Sequence, residues 1–516
     1  MDRSGSTLAP DGDGCPMAHC NLLNNSFHAI PPLRSITRAH RVDSPVISPK
    51  AAVNLGAYTG EKLAVCAYES AEHPALVAYD LQDDSVAWTS PCEDLPQAFA
   101  AQSHWHMERV VSGVLMATIT SPDGHTKRHV FAANPKEIVA YNFDGSPVWK
   151  RPVADVASTS GDPVGSPRDL RFTAQNEIVG ATRGGWIIKL NPVSGSLLDM
   201  YRMESSVFIS GRSFPGTLRN VRSSVVVENR LYLVVEFDPD PEFHLHRFLR
   251  PVYVLRIDLH APGARGAQTS IKPIDQATRS SGVPSDRVQI GVNQSGGSPA
   301  AYVRDDDSVV IFAGSMIFDR RGRQTLITAV EDRNGVMSPC WHYILEHYLG
   351  EPLLSAPALH NESGTLIVTG RPGFYVFRNA TTANPRTAEA PTFIPAAQVV
   401  ADEVRSHADL VEAGAPLALT FDTERHEIVV VTNFRATPTS RTEKFGFLGA
   451  FTVPLNDTAA PAPLWCQPLA VGPDGEILPG FGTYGQPALF QYRNSGNSKE
   501  TGVIVNTVQT GTFIFK

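Results

Sequence analysis

Short runs of apolar residues, many alternating with polar ones, follow one another along the whole chain. LVAYD ends at Asp80, IVAYN ends at Asn142, and EIVVVTN begins at Glu427. Short runs with a period of two are typical of β-strands. Gly and Pro number 40 each, which favours many turns. The pattern therefore predicts an all-β chain.

One pattern recurs: an apolar strand ending in Asp or Asn, a turn, and a large residue shortly after it. LVAYDLQDDSVAW ends at Trp88 and IVAYNFDGSPVW ends at Trp149, while WIIKLNPVSGSLLD has Asp199 in place of Trp. The Asp or Asn side chain accepts turn N–H groups, Gly supplies positive φ, and Trp packs between sheets.

Weaker copies bring the number of passes to eight; they contain Asp258, Asp319, Asn379, Trp465 and the strand GTFIFK. Their spacing of about 50 to 70 residues is enough for a four-stranded blade and a loop. We predict an all-β fold: a single closed β-propeller of eight four-stranded antiparallel blades, with seven blades as the alternative.

These repeats resemble the tryptophan-docking repeat of quinoprotein alcohol dehydrogenase-like propellers, which also occurs in propellers of the outer-membrane assembly lipoprotein type. The matching residues are Ala78, Asp80 and Trp88, then Ala140, Asn142, Gly145 and Trp149, and more loosely Lys189, Asn191, Ser194 and Gly195. For a dehydrogenase the resemblance implies pyrroloquinoline quinone (PQQ), calcium and a disulfide between adjacent cysteines. The six cysteines include no adjacent pair, so we expect neither PQQ nor any other cofactor.

The last blade has three strands after Gly485, and the segment Leu33–Val42 is predicted to supply its fourth. Such a strand would close the ring and remove exposed sheet edges. This divides the chain into an N-terminal arm, residues 1–32, and a propeller, residues 33–516. One segment, CWHYILEHYLG at residues 340–350, reads as a helical insertion carrying His342 and His347.

Charge and composition exclude some partners. The net charge is −8 with no long basic run, which argues against a nucleic-acid partner. No apolar stretch is long enough for a membrane span, and the N-terminus lacks the apolar region of a secretory signal. We expect a cytoplasmic monomer with reduced cysteines.

Two clusters carry metal-ligating side chains. GCPMAHC contains Cys15, His19 and Cys20, and SHWHM contains His104 and His106, which share one face of a strand. A divalent transition metal held by Cys15, His19, His104 and His106 would indicate an oxygenase or oxidase. The alternative is that these side chains are packed or solvated, because the spacing matches no standard metal pattern.

The loops at the axis are the predicted ligand site. We expect His104, Arg212 and Tyr484 to be catalytic. The expected substrate-binding residues are Trp105, His106, Asn293 and Gln294. The favoured hypothesis is a cofactor-independent cyclase, isomerase or lyase of specialised metabolism, which polarises a small-molecule substrate by hydrogen bonding in an axial pocket. A non-catalytic protein-interaction scaffold is the second hypothesis, and the metal-dependent oxygenase or oxidase is the third.

Overall fold

Eight antiparallel sheets contain the strands of the computed structural model. Two short strands precede the first complete blade, β1 (Thr7–Pro10) and β2 (Ala39–Val42). The structure describes every residue outside the ranges 1–6, 11–16, 18–22, 24–25, 43–52, 70–75, 91–113, 134–136, 153–166, 168, 183, 210–211, 221–222, 240–250, 260–286, 293–294, 320–321, 348–355, 383–389, 407, 415–416, 439–443, 457–458, 472–473, 475, 480–486 and 508–510.

Blades 1 to 4 occupy the first part of the chain. Blade 1 consists of β3 (Val53–Thr59), β4 (Leu63–Glu69), β5 (Leu76–Asp80) and β6 (Ser85–Thr89). Blade 2 consists of β7 (Leu115–Thr120), β8 (Thr126–Ala133), β9 (Glu137–Asn142) and β10 (Pro147–Pro152). Blade 3 consists of β11 (Arg171–Phe172), β12 (Ile178–Ala181), β13 (Trp186–Leu190) and β14 (Leu197–Arg202). Blade 4 consists of β15 (Glu204–Ile209), β16 (Arg212–Asn220), β17 (Val225–Val227), β18 (Arg230–Pro239), β19 (Pro251–Asp258) and β20 (Arg287–Val292).

Blades 5 to 8 complete the ring. Blade 5 consists of β21 (Ser295–Val303), β22 (Val309–Asp319), β23 (Gly322–Arg333) and β24 (Val336–Ile344). Blade 6 consists of β25 (Ala358–His360), β26 (Thr365–Gly370), β27 (Gly373–Phe377) and β28 (Thr392–Pro395). A single 3-10 turn (Ala396–Gln398) and the helix α1 (Asp402–Ser406) lead to blade 7. Blade 7 consists of β29 (Leu410–Ala413), β30 (Ala418–Asp422), β31 (Glu427–Thr437), β32 (Phe445–Pro454) and β33 (Ala462–Pro468). Blade 8 consists of β34 (Ala488–Arg493), β35 (Lys499–Thr507), β36 (Gly511–Phe515) and β2.

The propeller of eight blades is confirmed, so the alternative of seven is wrong. Inner strands of successive blades contact one another around the axis, as β21 does with β17 and β25. Fourth strands such as β6 and β10 are the most exposed and form the rim. Blades 4 and 7 exceed four strands because their second strands, β18 and β31, are long enough to pair with two successive segments on the inner side.

Four junctions between blades are made by a tryptophan on the outer strand. Each indole Nε1–H donates to a backbone carbonyl of the next blade: Trp88 to Phe143 (2.8 Å), Trp149 to Pro192 (2.9 Å), Trp341 to Ala380 (3.1 Å), and Trp465 to Leu33 (2.9 Å). These contacts are the docking interaction that the repeat pattern implies.

The other four junctions use a lysine or arginine at or just after the third strand. Lys189 donates to the Leu259 carbonyl (3.1 Å), Arg256 to the Asp332 carboxylate (3.2 Å), Arg378 to the Leu455 and Pro454 carbonyls (3.0 and 2.7 Å), and Lys516 to the Leu81 carbonyl (2.8 Å). A side-chain N–H therefore crosses every junction of the ring, from a tryptophan at four junctions and from a lysine or arginine at the other four.

Blade 8 takes its outer strand from the N-terminal part of the chain. β2 pairs antiparallel with β36, and it lies in the segment Leu33–Val42 to which the sequence assigns this role. The Arg38 N–H donates to the Lys516 carbonyl and the Lys516 N–H to the Arg38 carbonyl, each at 2.8 Å. Blade 8 is thus formed by two distant parts of the sequence, and no turn connects its outer strand β2 to β36.

The predicted helix at residues 340–350 is wrong. Residues up to Ile344 belong to strand β24, and His342 pairs with Thr328 of β23. The ladder shifts register at Cys340, next to Pro339, as expected on an edge strand that must accommodate a proline. The segment is rich in aromatic and β-branched residues, and its Trp341 makes a docking contact that the sequence did not reveal.

Gly145 and Gly124 provide a matched test of docking. Both have positive φ, +84° and +83°, but a Cβ at Gly145 would lie 2.7 Å from Cγ of Trp88, whereas a Cβ at Gly124 would meet nothing within 4 Å. We expect Gly124→Ala to cost about 1 kcal/mol through backbone strain. Gly145→Ala should cost about 1–3 kcal/mol more through overpacking. Urea unfolding measures both, and equal losses would contradict the assigned role of this contact.

Removing residues 1–42 should lower the melting temperature and broaden the unfolding transition. The deletion removes β2 from blade 8 and the Leu33 carbonyl from Trp465. Removing only residues 1–6, which precede β1, is the control and should leave the melting curve unchanged. An unchanged curve for the longer deletion would show that β2 does not hold the ring closed.

Candidate functional site

Most residues predicted at the axis fall outside the described ranges, so their role stays a prediction. They are His104, Trp105, His106, Asn293, Gln294 and Tyr484, and the same holds for Cys15 and His19 of the alternative metal site. Arg212 is the first residue of β16, opposite Ile209 of β15. Its backbone therefore lies at the tip of a hairpin that extends the inner side of blade 4.

The N-terminal arm runs along the inner edges of several blades. β1 pairs with β7, the inner strand of blade 2. Farther along, the Leu23 carbonyl accepts from Ala301 of blade 5 at 2.8 Å. The Leu419 N–H of blade 7 donates to the Ser26 carbonyl, and the His28 N–H donates to the Leu419 carbonyl, both at 2.8 Å. The arm thus occupies space beside the axis before it reaches the rim as β2.

Side chains of the arm are buried against the blades. Met17 is 1% exposed and packs in the apolar cluster of blades 2 and 3, which includes Leu170. Ile30 and Leu33 pack between blades 7 and 8. This burial makes the arm part of the inner surface of the propeller rather than a loose extension.

A histidine lies where the arm meets blades 6 and 7. The His360 ring is 5.1 Å from the Phe27 ring of the arm and stacks on Phe421 at 4.4 Å. Its Nδ1 is 2.8 Å from the Ser363 hydroxyl. Burial lowers the pKa of His360, and the nearby charge of Glu362 acts in the opposite direction. The imidazole is therefore held neutral in an aromatic environment.

We use the name axial cluster for four buried polar side chains at or just before the inner strands of three blades. They are Asp169, with Arg171 and Ser224, which are joined by hydrogen bonds to Asp169, and Tyr58, whose pKa the charges of Asp169 and Arg171 influence. Arg171 Nε donates to Asp169 at 2.7 Å. The same carboxylate accepts from the Ser224 backbone at 2.8 Å and from its hydroxyl at 3.1 Å. Asp169 and Arg171 are 1% and 0% exposed, and a charge this deep in a protein requires such partners.

The Tyr58 hydroxyl belongs to the same electrostatic environment. Burial raises the pKa of Tyr58 well above its usual value, while the positive charge of Arg171 lowers it and the negative charge of Asp169 raises it. The phenol therefore stays protonated at neutral pH. A neutral hydroxyl near a guanidinium is a pair of groups suited to hydrogen-bonding a carbonyl or enolate oxygen.

The sequence held a signal for part of this cluster. Asp169 and Arg171 stand two residues apart in PRDLRF, soon after Pro167. Opposite charges at i and i+2 share one face of a strand, which indicates a paired rather than a solvated arginine. Tyr58, in GAYTG, had no such marker.

The described residues offer no site for the metal chemistry that the resemblance and the third hypothesis imply. Within the described ranges there is no group of three His, Cys, Asp or Glu side chains placed to hold a metal ion.

The described part of the chain likewise contains no helix long and apolar enough to cross a bilayer.

Fold and junctions together define the class of this chain: an eight-bladed β-propeller with docked blades. Neither a family model nor a curated protein matches its sequence. Among solved structures it is similar to BamB from Moraxella catarrhalis, with 11% identity, a TM-score of 0.45, and coverage of 93% of this chain and 99% of that one.

Two enzymes are also similar to it. A quinohemoprotein alcohol dehydrogenase from Pseudomonas putida HK5 has 8% identity and a TM-score of 0.40, covering 98% of this chain and 80% of that one. A europium-containing methanol dehydrogenase has 10% identity and a TM-score of 0.40, covering 98% and 97%. Similarity at this level assigns no activity.

His360 should make stability depend on pH. The unfolded side chain titrates near its usual pKa of about 6.5, and the folded one titrates lower because of burial. Below about pH 6.5 the unfolded chain therefore binds a proton that the folded chain does not, so the free energy of unfolding falls as pH falls. Urea unfolding between pH 8 and 5 should show a shallower pH dependence for His360→Gln than for the unaltered chain. Identical slopes would contradict the assignment.

Proposed function

We propose that this chain is a small-molecule-binding propeller whose axial cluster acts on a carbonyl- or enol-bearing substrate without a redox cofactor, as a cyclase, isomerase or lyase of specialised metabolism. The observation that carries this proposal is the buried, hydrogen-bonded Arg171–Asp169 pair of blade 3, together with the buried Tyr58 of blade 1, whose pKa both charges influence. The monomeric state and the cytoplasmic location remain predictions.

The chemistry would be electrostatic. A protonated phenol and a guanidinium both donate hydrogen bonds, and donors fixed before the reaction stabilise negative charge that develops on an oxygen. Asp169 would act as a positioning residue, because it orients Arg171 and is itself held by Ser224. His104, Arg212 and Tyr484, which the sequence analysis predicts to be catalytic, would act on the substrate together with the axial cluster.

In this proposal the N-terminal arm controls whether a substrate can reach the axial cluster. Met17 packs with Leu170, which lies between Asp169 and Arg171 in sequence, and both charged residues are sealed from solvent. A substrate would reach the axial cluster only when the first part of the arm moves. Residues 1–24 can be removed without touching the Ser26–His28 contacts, Leu33 or β2.

A scaffold without catalysis is the second candidate. The arm's contacts with the inner edges of blades 2, 5 and 7 favour it, because they fill space that an axial ligand would need. An oxygenase or oxidase using Cys15, His19, His104 and His106 remains a prediction, since these residues lie outside the described ranges.

Ligand binding to the full chain and to the chain lacking residues 1–24 tests the proposal. We expect 1,3-dicarbonyl compounds and phenols, as mimics of an enolate, to raise the melting temperature, and more strongly after truncation. Tyr58→Phe should weaken binding at least tenfold, since a hydrogen bond to a charged group contributes about 1.5–3 kcal/mol.

Tyr253→Phe is the matched control, because Tyr253 is also buried but lies on the third strand of blade 4. It should leave ligand affinity unchanged. The axial proposal fails if no compound binds either form of the protein, or if both tyrosine variants bind equally well; the first result would favour the scaffold.

A further inference from the structure

We propose that a cleft between blades 8 and 1 binds a small organic dianion, a phosphate monoester or a dicarboxylate, through Lys62, Arg493 and Lys499. The cleft has a volume of about 640 Å³, within the range of small-molecule sites. It is lined by none of the residues of the axial cluster and does not depend on the function proposed above.

Turns from two blades form the walls of the cleft. The turn between β3 and β4 carries Lys62, and the β34–β35 hairpin carries Arg493 and Lys499. Leu81 and Tyr492 lie between these walls, together with Lys516. Because the two walls belong to neighbouring blades, basic side chains line the cleft on both sides of the junction that closes the ring.

Two carboxylates beside the cleft are already engaged. Asp84 pairs with Lys516 Nζ at 2.6 Å and with Arg38 at 3.3 Å. Glu61 pairs with Arg128. These acids are therefore not available to neutralise the exposed basic groups of the walls.

Glu500 is also engaged, since it accepts from the Tyr492 hydroxyl at 2.8 Å and from the Asn494 amide. The three basic wall residues, by contrast, have no carboxylate within ion-pair distance among the residues that the structure describes. Lys499 reaches only the Gln491 amide oxygen, at 3.5 Å. The cleft therefore keeps an excess of positive charge on a chain whose net charge is −8.

This charge arrangement favours a ligand with two negative charges. A single exposed ion pair contributes little in water, so a monoanion would gain too little to be held. A dianion can contact both walls at once, with the Arg493 guanidinium offering paired donors to a phosphate or carboxylate and the lysines acting as point charges.

The hairpin that presents two of these residues is held in a fixed conformation. The Asn494 side-chain oxygen accepts from the Gly496 and Ser498 backbones at 2.9 and 3.0 Å, and Arg493 donates to the Asn497 carbonyl at 3.1 Å. Lys516 is held from behind by Leu81 and Asp84. A site built this way loses less conformational entropy on binding than a flexible one.

Calorimetric titration of the full chain with glucose 6-phosphate, glutarate and glucose tests the site. We expect both dianions to bind, glucose not to bind, and the affinity to fall as salt concentration rises. The double variant Lys62→Gln/Lys499→Gln should weaken dianion binding about tenfold or more. Lys150→Gln, at an exposed lysine on the outer strand of blade 2, is the control and should bind as the unaltered chain does.

The two dianions distinguish the two possible classes of ligand. Stronger binding of glucose 6-phosphate would indicate that the natural ligand is a phosphate monoester, and stronger binding of glutarate would indicate a dicarboxylate. Binding that is the same in the double variant and in the control would overturn the site, as would equal binding of glucose. Absence of binding by either dianion at low salt would also overturn it. Melting curves of the double variant establish that it is folded, and neither Tyr58 nor the arm enters the test.

Discussion

The structure depends on one side-chain N–H donor that leaves each blade and reaches the next. Four of these donors are indoles and four are lysine or arginine groups, and most of the acceptors are backbone carbonyls of the neighbouring blade. Apolar packing between sheets is non-directional and tolerates sliding, whereas a hydrogen bond to one carbonyl fixes the angle and depth of each blade. That angle, repeated around the ring, sets the width of the axis.

Part of this arrangement could be predicted from the sequence. The two good repeats ending at Trp88 and Trp149 gave the fold and the docking contact, because a tryptophan at a fixed distance from an Asp or Asn turn is an uncommon pattern. Lys189 and Arg256 gave no such signal, since lysine and arginine on strands are mostly exposed. Only their hydrogen bonds to the next blade show that they take over the role of the indole.

The site was hard to predict because its residues are far apart in the sequence, more than because of their residue types. The missing fourth strand of blade 8 pointed to a partner in the N-terminal segment, because an unpaired edge is unfavourable. The path of the arm beside the axis had no comparable signal: it consists of isolated contacts such as those of Leu23 and His28, with no periodic pattern. The axial cluster shares this property, since Tyr58 and Arg171 are far apart in sequence and interact only when blades 1 and 3 are assembled.

The junction between blades 8 and 1 differs from the others because the residue that closes it, Lys516, also lines the cleft proposed to bind an anion. Lys516 donates across the junction to Leu81, pairs with the buried Asp84, and lies beside the basic cleft. Its ammonium is already neutralised from behind, so an anion in the cleft would interact with the exposed wall residues without competing for the closing contact. Both walls are in place only when the ring is closed. A ligand held between them therefore binds the folded state alone, and it stabilises the closed ring by mass action in proportion to its occupancy.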